Sequence, residues 1–347
     1  MNKQIGYFLV FASVLFFNYS GSQESVINDN FQTSADVFSE QHLFSIKMSY
    51  SQKDIRKKTD DSTYIDSSVD YQLNDGSWQS LPVKLRRRGN NRLKNCYFAP
   101  LNVKLKKSDT KNTLFEGHKN LKIVLPCFLE KENNDNVVKE YLAYKLFEIV
   151  SPYHFQTRLL NIDFEEERGE NSKSHNLKGI LIEDDKNVAK RLDGRIYERD
   201  MHPGNQETVS SIRNALFQYM IGNTDFSQAY QHNIKVMYIN KAMVPIPYDF
   251  DMSGFVNTSY AAASIHVSSV TERKYRGFAR DKKIFEQVRQ EFLANKQKLL
   301  SVLDDNVSYF DDPQEFNTAK NYILSFFDVI VNVRLFKDEI LDQARKN

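Results

Sequence analysis

LFSIKMSY, starting at Leu43, alternates apolar and polar residues like a strand with one buried face. VDYQL and WQSLPVKLRRR alternate likewise on either side of NDGS, which predicts a hairpin turning at Asn74 to Gly76. PLNVKLKK and NLKIVLPC predict two further strands. In NVVKEYLAYKLFEIV the period changes: Val137, Leu142, Leu146 and Val150 recur at helical spacing. FQTRLLNIDF and KGILIED read as strands separated by a charged insert, EEERGENSKSHN. After Gly194 the pattern turns helical. ETVSSIRNALFQYMIG predicts a buried helix, and HNIKVMYIN and AMVPIPYDF predict two strands joined by a tight turn at Asn240 and Lys241. DKKIFEQVRQEFLANKQKLLSVL and DPQEFNTAKNYILSFFDVIVNVRLFKDEILDQARK predict helices, the second opened by Asp312 and Pro313. The expectation is an α+β chain, strand-rich with one helix over 41–186 and mainly helical over 187–347. No internal repeat is visible.

Composition adds a compartment. Lys3 is followed by the apolar run IGYFLVFASVLFF and then by small polar residues around Ser20 to Ser22, the pattern of a secretory signal peptide over 1–22. An uncleaved anchor is the alternative. Residues 23–40 read as a flexible leader, and no later stretch is long and apolar enough to cross a membrane. No Cys follows the run, which excludes a bacterial lipoprotein anchor, so the expected location is secreted, periplasmic or cell-surface. The net charge of +2 argues for no nucleic-acid or membrane partner. Cys96 and Cys127 could pair in an oxidising compartment, closing a loop worth on the order of 3 kcal/mol; two buried free thiols are the alternative. With no His at ligand spacing, the pair does not suggest zinc.

The densest chemistry lies in FQYMIGNTDFSQAYQHNIKVMYINKAMVPIPYDFDMSG, from Phe217 to Gly254, which sets Asp225, Asn233, Asp249 and Asp251 around two apolar runs. The predicted order is helix, polar loop, hairpin and acidic tip, with Asp225 and Asn233 facing Asp249 across a cleft. Phosphoryl transfer needs such a set: one carboxylate to orient or deprotonate the attacking hydroxyl, and an amide with a second carboxylate to hold Mg²⁺ on nucleotide phosphates.

In order and residue type this run resembles the catalytic centre of atypical protein kinases, most of all the CotH family of secreted and spore-coat kinases. The resemblance implies Asp225 as base, Asn233 and Asp249 as metal ligands, and Asp251, standing where Gly is usual, as an accessory ligand. Gly222, Asn223 and Thr224 replace the usual His-Arg, and the interval to Asn233 is longer than in ordinary protein kinases. A second likeness is RRRGNNR, where Arg88 and Gly89 would approach phosphates and Arg92 offers another cationic fork. The third is Lys122 in its strand with Glu140 on the following helix, the pair that would position the nucleotide; Lys104 and Lys106 are rival phosphate lysines. The stretch from Glu183 to Lys186 would be the hinge that meets adenine. The resemblance thus implies a two-lobed protein-kinase-like fold, with a strand-rich N-lobe and a helical C-lobe, using ATP with Mg²⁺ or Mn²⁺ on a protein hydroxyl. A catalytically inactive kinase-fold protein for binding or surface assembly is the alternative. A metal-cluster hydrolase ranks last, because such clusters usually recruit His and the run holds only His232.

Overall fold

β1 (Phe44–Tyr50) lies antiparallel to β2 (Ile65–Gln72) on one edge and parallel to β6 (Thr157–Arg168) on the other, and the second pairing closes a barrel. The computed structural model describes residues 36–346 except positions 90, 130 and 131; the predicted signal peptide and most of the leader lie outside the described residues. Between β1 and β2 runs α1 (Gln52–Lys58), and β3 (Trp78–Arg87) follows the predicted turn at Asn74–Gly76. Next come α2 (Asn91–Asn95), β4 (Leu101–Leu105), α3 (Lys107–Thr110), β5 (Asn120–Val124), α4 (Glu132–Val150), and, after β6, β7 (Asn171–Glu183). Around the barrel the strands run β1-β2-β3-β4-β5-β7-β6.

Inside, Ile46, Leu85, Leu101, Val103, Leu121, Leu160 and Leu181 fill the space, leaving about 20 Å³. The barrel is thus a packed core and not a container. Ile180 and Ile182 on β7 face outward against α4, which presents Val138, Leu142 and Leu146 to them. This is why KGILIED reads as continuously apolar: the strand is buried on both faces.

The remainder comprises α5 (Asp185–Arg191), β8 (Arg195–Tyr197), α6 (Thr208–Met220), β9 (Ile234–Ile239), β10 (Ala242–Pro247), α7 (Lys282–Ala294), α8 (Lys296–Asp304), α9 (Pro313–Val331) and α10 (Val333–Phe336). β10, β9 and β8 form a three-stranded antiparallel sheet. Asn240 and Lys241 both take left-handed φ angles, +48° and +64°, the two-residue hairpin turn expected there. Phe217, Phe250, Phe292, Phe326 and Phe327 centre the second core.

The two-lobed protein-kinase-like expectation is overturned. A closed seven-stranded mixed barrel stands where a strand-rich N-lobe was expected, and a small sheet among helices stands where a helical C-lobe was expected. The cause lies partly in EEERGENSKSHN, which is no loop: it lengthens β6 and β7 into a continuous ladder from Thr157↔Ile182 to Arg168↔Asn171. The extended β6 then gives β1 a full parallel edge from Phe44↔Leu160 to Tyr50↔Glu166. Alternation states which face is buried, but not which edge pairs. Cys96 and Cys127 form a disulfide. Among the described residues no helix is long and apolar enough to cross a membrane.

Candidate functional site

α6 ends where Gly222 turns with φ +63°; a Cβ there would lie 1.9 Å from Tyr322 Oη, so the tight passage requires glycine. Gly254 N–H donates to the Gly222 carbonyl at 3.1 Å, bringing the start of the 222–233 loop beside the acidic tip. Asn223 Oδ1 accepts the Asp225 N–H at 2.8 Å. Asn233, also left-handed at φ +52°, donates through Nδ2 to the Asp225 carbonyl at 2.7 Å and to Asp225 Oδ2 at 3.1 Å. His232 Nε2 lies 3.0 Å from Asp225 Oδ1. The predicted base and the predicted metal amide are therefore one hydrogen-bonded unit, with a histidine on its outer side.

Tyr248 N–H donates to the Asn233 carbonyl at 3.1 Å, joining this loop to the end of β10. Asp249 comes next, held left-handed at φ +63° with its N–H on Tyr144 Oη of α4 at 2.9 Å. A non-glycine residue in that conformation is strained, and such strain concentrates at functional sites. Burial raises the pKa of Asp249, repulsion from Asp251 and Asp225 adds to the rise, and Arg92 and Arg88 oppose it.

Behind Asp249 lies a buried charge knot. Arg92 donates through Nε to Asp251 Oδ2 at 2.9 Å and through a terminal nitrogen to Glu140 Oε2 at 2.7 Å. Tyr260 Oη donates to the same Asp251 oxygen at 3.0 Å. Burial pushes the Glu140 carboxyl up to about 7, against the pull of Arg92 and with repulsion from Asp251 and Asp249. Its other oxygen, Oε1, has no hydrogen-bond partner among the described residues.

The expected Lys122–Glu140 pair is not made. Lys122 sits on the outer face of β5 and pairs with Asp185, the first residue of α5, while Lys235 Nζ reaches the other Asp185 oxygen at 3.3 Å. The reason is chain geometry: α5 brings an acid directly onto Lys122, while the turn after β3 brings Arg92 onto Glu140. Burial lowers the pKa of Lys122, Asp185 opposes the change, and Arg88 pushes it further down. The Arg88 charge is felt at both Lys122 and Asp249, and its guanidinium makes no hydrogen bond among the described residues. Gly89 beside it has φ +76° with open space around it.

Other expected residues stand elsewhere. Glu183 is buried, and its carboxylate is taken by Arg191 at 2.8 and 3.1 Å and by the Gln156 N–H. Its own N–H donates to the Gln156 carbonyl at 3.0 Å. Lys104 is exposed on β4 with its ammonium 5.3 Å from the Tyr64 ring, and Lys106 is exposed just beyond it. Arg92, read as a phosphate fork, is instead spent on two buried acids. Sequence reading missed Asp185, Lys235 and Tyr144. Asp185 did lie inside the segment marked as hinge, but nothing in its neighbours announces a lysine partner.

Among the described residues, no three His, Cys, Asp or Glu side chains gather closely enough to hold a metal. A divalent cation here would draw on Asp249 and the Asn233 amide oxygen, with phosphate oxygens completing the set. Hard oxygen donors of this type suit Mg²⁺ or Mn²⁺, and a cation would relieve the crowded charge on Asp249. No protein-family model matches this chain, and no curated protein matches it.

Proposed function

We propose that this chain is an exported CotH-like phosphotransferase, which takes the terminal phosphoryl group of ATP, bound with Mg²⁺ or Mn²⁺, to a hydroxyl of a protein acceptor. The observation carrying the reading is that Asp225 and Asn233 form one hydrogen-bonded unit tied through the Asn233 carbonyl to Tyr248 N–H, next to Asp249, whose charge feels both Asp225 and Arg88. In this reading the acceptor oxygen bonds to the γ-phosphorus as the bond to the β-phosphate oxygen breaks, ADP leaves, and the acceptor proton passes to Asp225. Arg88 and Lys122 hold phosphate charge, while Asn233 and Asp249 hold the cation, whose chemistry is to neutralise the phosphates. Asp251 serves by fixing Arg92, whose charge favours the ionised form of Asp249.

A second reading, binding or surface assembly without turnover, is favoured by one observation: Lys122 and Glu140 are each closed by another partner. Thermal stability of the purified chain with ATP, with and without Mg²⁺ or Mn²⁺, tests the site, since a ligand of the folded state raises apparent stability. A metal-dependent rise that Asp249→Asn abolishes is expected; no rise in either protein overturns the proposal. Transfer of labelled γ-phosphate to protein separates turnover from binding, and a rise without transfer or phosphate release selects the second reading.

A further inference from the structure

An open groove of about 1080 Å³ lies on the outer face of the barrel; Lys104 and Lys106 line it, whereas Asp225, Asn233, Asp249, Arg92 and Lys122 do not. It is lined by Lys104, Lys106, Lys107, Lys111, Lys119 and Lys190, all exposed, and by Lys84, which is paired with Asp66 at 2.7 Å. None of the first six makes an ion pair among the described residues. The groove's other acids are occupied elsewhere: Asp109 accepts from Ser108 Oγ at 2.6 Å and Glu116 accepts the Asn112 N–H at 2.9 Å.

Lys84 and Lys104 also stand directly opposite each other on β3 and β4. Asp66, opposite Lys84 on β2, answers the Lys84 charge and leaves that of Lys104 with no acid of its own among the described residues. Among the described residues the lining contains no Arg, Trp, Tyr or Phe. Phosphate forks and base-stacking platforms, the usual equipment for nucleic acid, are therefore lacking. What is present, flexible ammonium groups beside acids that already have partners, suits an extended peptide rich in carboxylates. α5 divides this groove from the Asp225–Asp249 site: Asp185 at its start faces Lys122, and Lys190 near its end lines the groove.

We infer that this groove is a docking surface for an acidic peptide segment of a partner protein. The inference goes beyond phosphoryl transfer and does not depend on it. The test is fluorescence anisotropy of a labelled oligoglutamate peptide with the full chain at low and at raised salt. Two triple variants of equal net charge are compared: Lys104→Glu/Lys107→Glu/Lys111→Glu in the groove, and Lys53→Glu/Lys282→Glu/Lys298→Glu outside it. All six positions are exposed, and circular dichroism checks that both variants fold. Salt-sensitive binding, weakened about tenfold or more by the groove variant and less than about twofold by the other, is expected. Equal weakening by both variants, or none by either, overturns the inference. So does a groove that captures a sulfated oligosaccharide or single-stranded DNA while leaving the peptide unbound.

Discussion

Arg92 stands between two buried carboxylates, and its removal would strand both. Arg92→Ala is expected to destabilise the fold by about 3–5 kcal/mol, as deletion of one member of a buried ion network does. Arg92→Lys should restore only part of this, since one ammonium cannot reproduce the fork that spans Glu140 and Asp251; denaturant unfolding measures both. Glu140 adds a pH signature. With its carboxyl pushed up to about 7, the folded chain holds a proton there that the unfolded chain has already released. The native state thus binds more protons above the ordinary glutamate range, and stability falls as pH rises through about 7. Glu140→Gln carries no such proton, so its stability is expected to vary less than wild type over that window. Parallel curves would show that the proton resides elsewhere. At this scale the nearness of Asp225 to Asn233 was legible because both lie in one short stretch between predictable elements. The Arg92 knot was not, because its partners lie 48 and 159 residues away and nothing local marks them.

Turns and caps were the most readable elements. Asn74–Gly76, Asn240–Lys241 and the Asp312–Pro313 helix start each carry their own local chemistry, and each stands as read. Polar composition misled in EEERGENSKSHN, where ladder pairing and contacts such as Ser174 Oγ to Glu165 Oε2 at 2.6 Å sustain strands exposed on one face. The long final helix was also over-extended: Asn332 ends α9 and caps α10 by accepting the Arg334 and Leu335 N–H groups. Cys96–Cys127 is an element-level staple. It ties the segment following α2 to the segment following β5, where Tyr97 N–H also donates to the Cys127 carbonyl at 2.7 Å. Closing this loop contributes on the order of 3 kcal/mol, which for a chain of this size corresponds to roughly 5 °C in midpoint temperature. Cys96→Ser/Cys127→Ser is expected to melt lower by that amount in non-reducing buffer, and added thiol should bring wild type down to meet it. If thiol leaves the wild-type midpoint unchanged, the bond contributes nothing to stability.

Across the whole molecule, strand and helix content could be read from periodicity, whereas architecture could not. The parallel seam between β1 and β6 joins segments more than a hundred residues apart and leaves no trace in either strand's pattern. Nor does the strand β8, three residues long, signal that it completes the second sheet. The same apolar alternation serves an open sheet or a closed one, and only the pairing of edges distinguishes them.

That closure limits how the protein can meet others. In a closed barrel every strand has a neighbour on both sides, which confines main-chain groups open to a foreign strand to the ends where one strand outruns the next, as Asn171–Gly179 of β7 outruns β5. The small sheet is guarded too: one border is the very short β8, and the other is β10, where Pro245 and Pro247 supply no N–H toward a newcomer. Recognition at the small sheet therefore falls to side chains, and its borders resist edge-to-edge pairing with another copy.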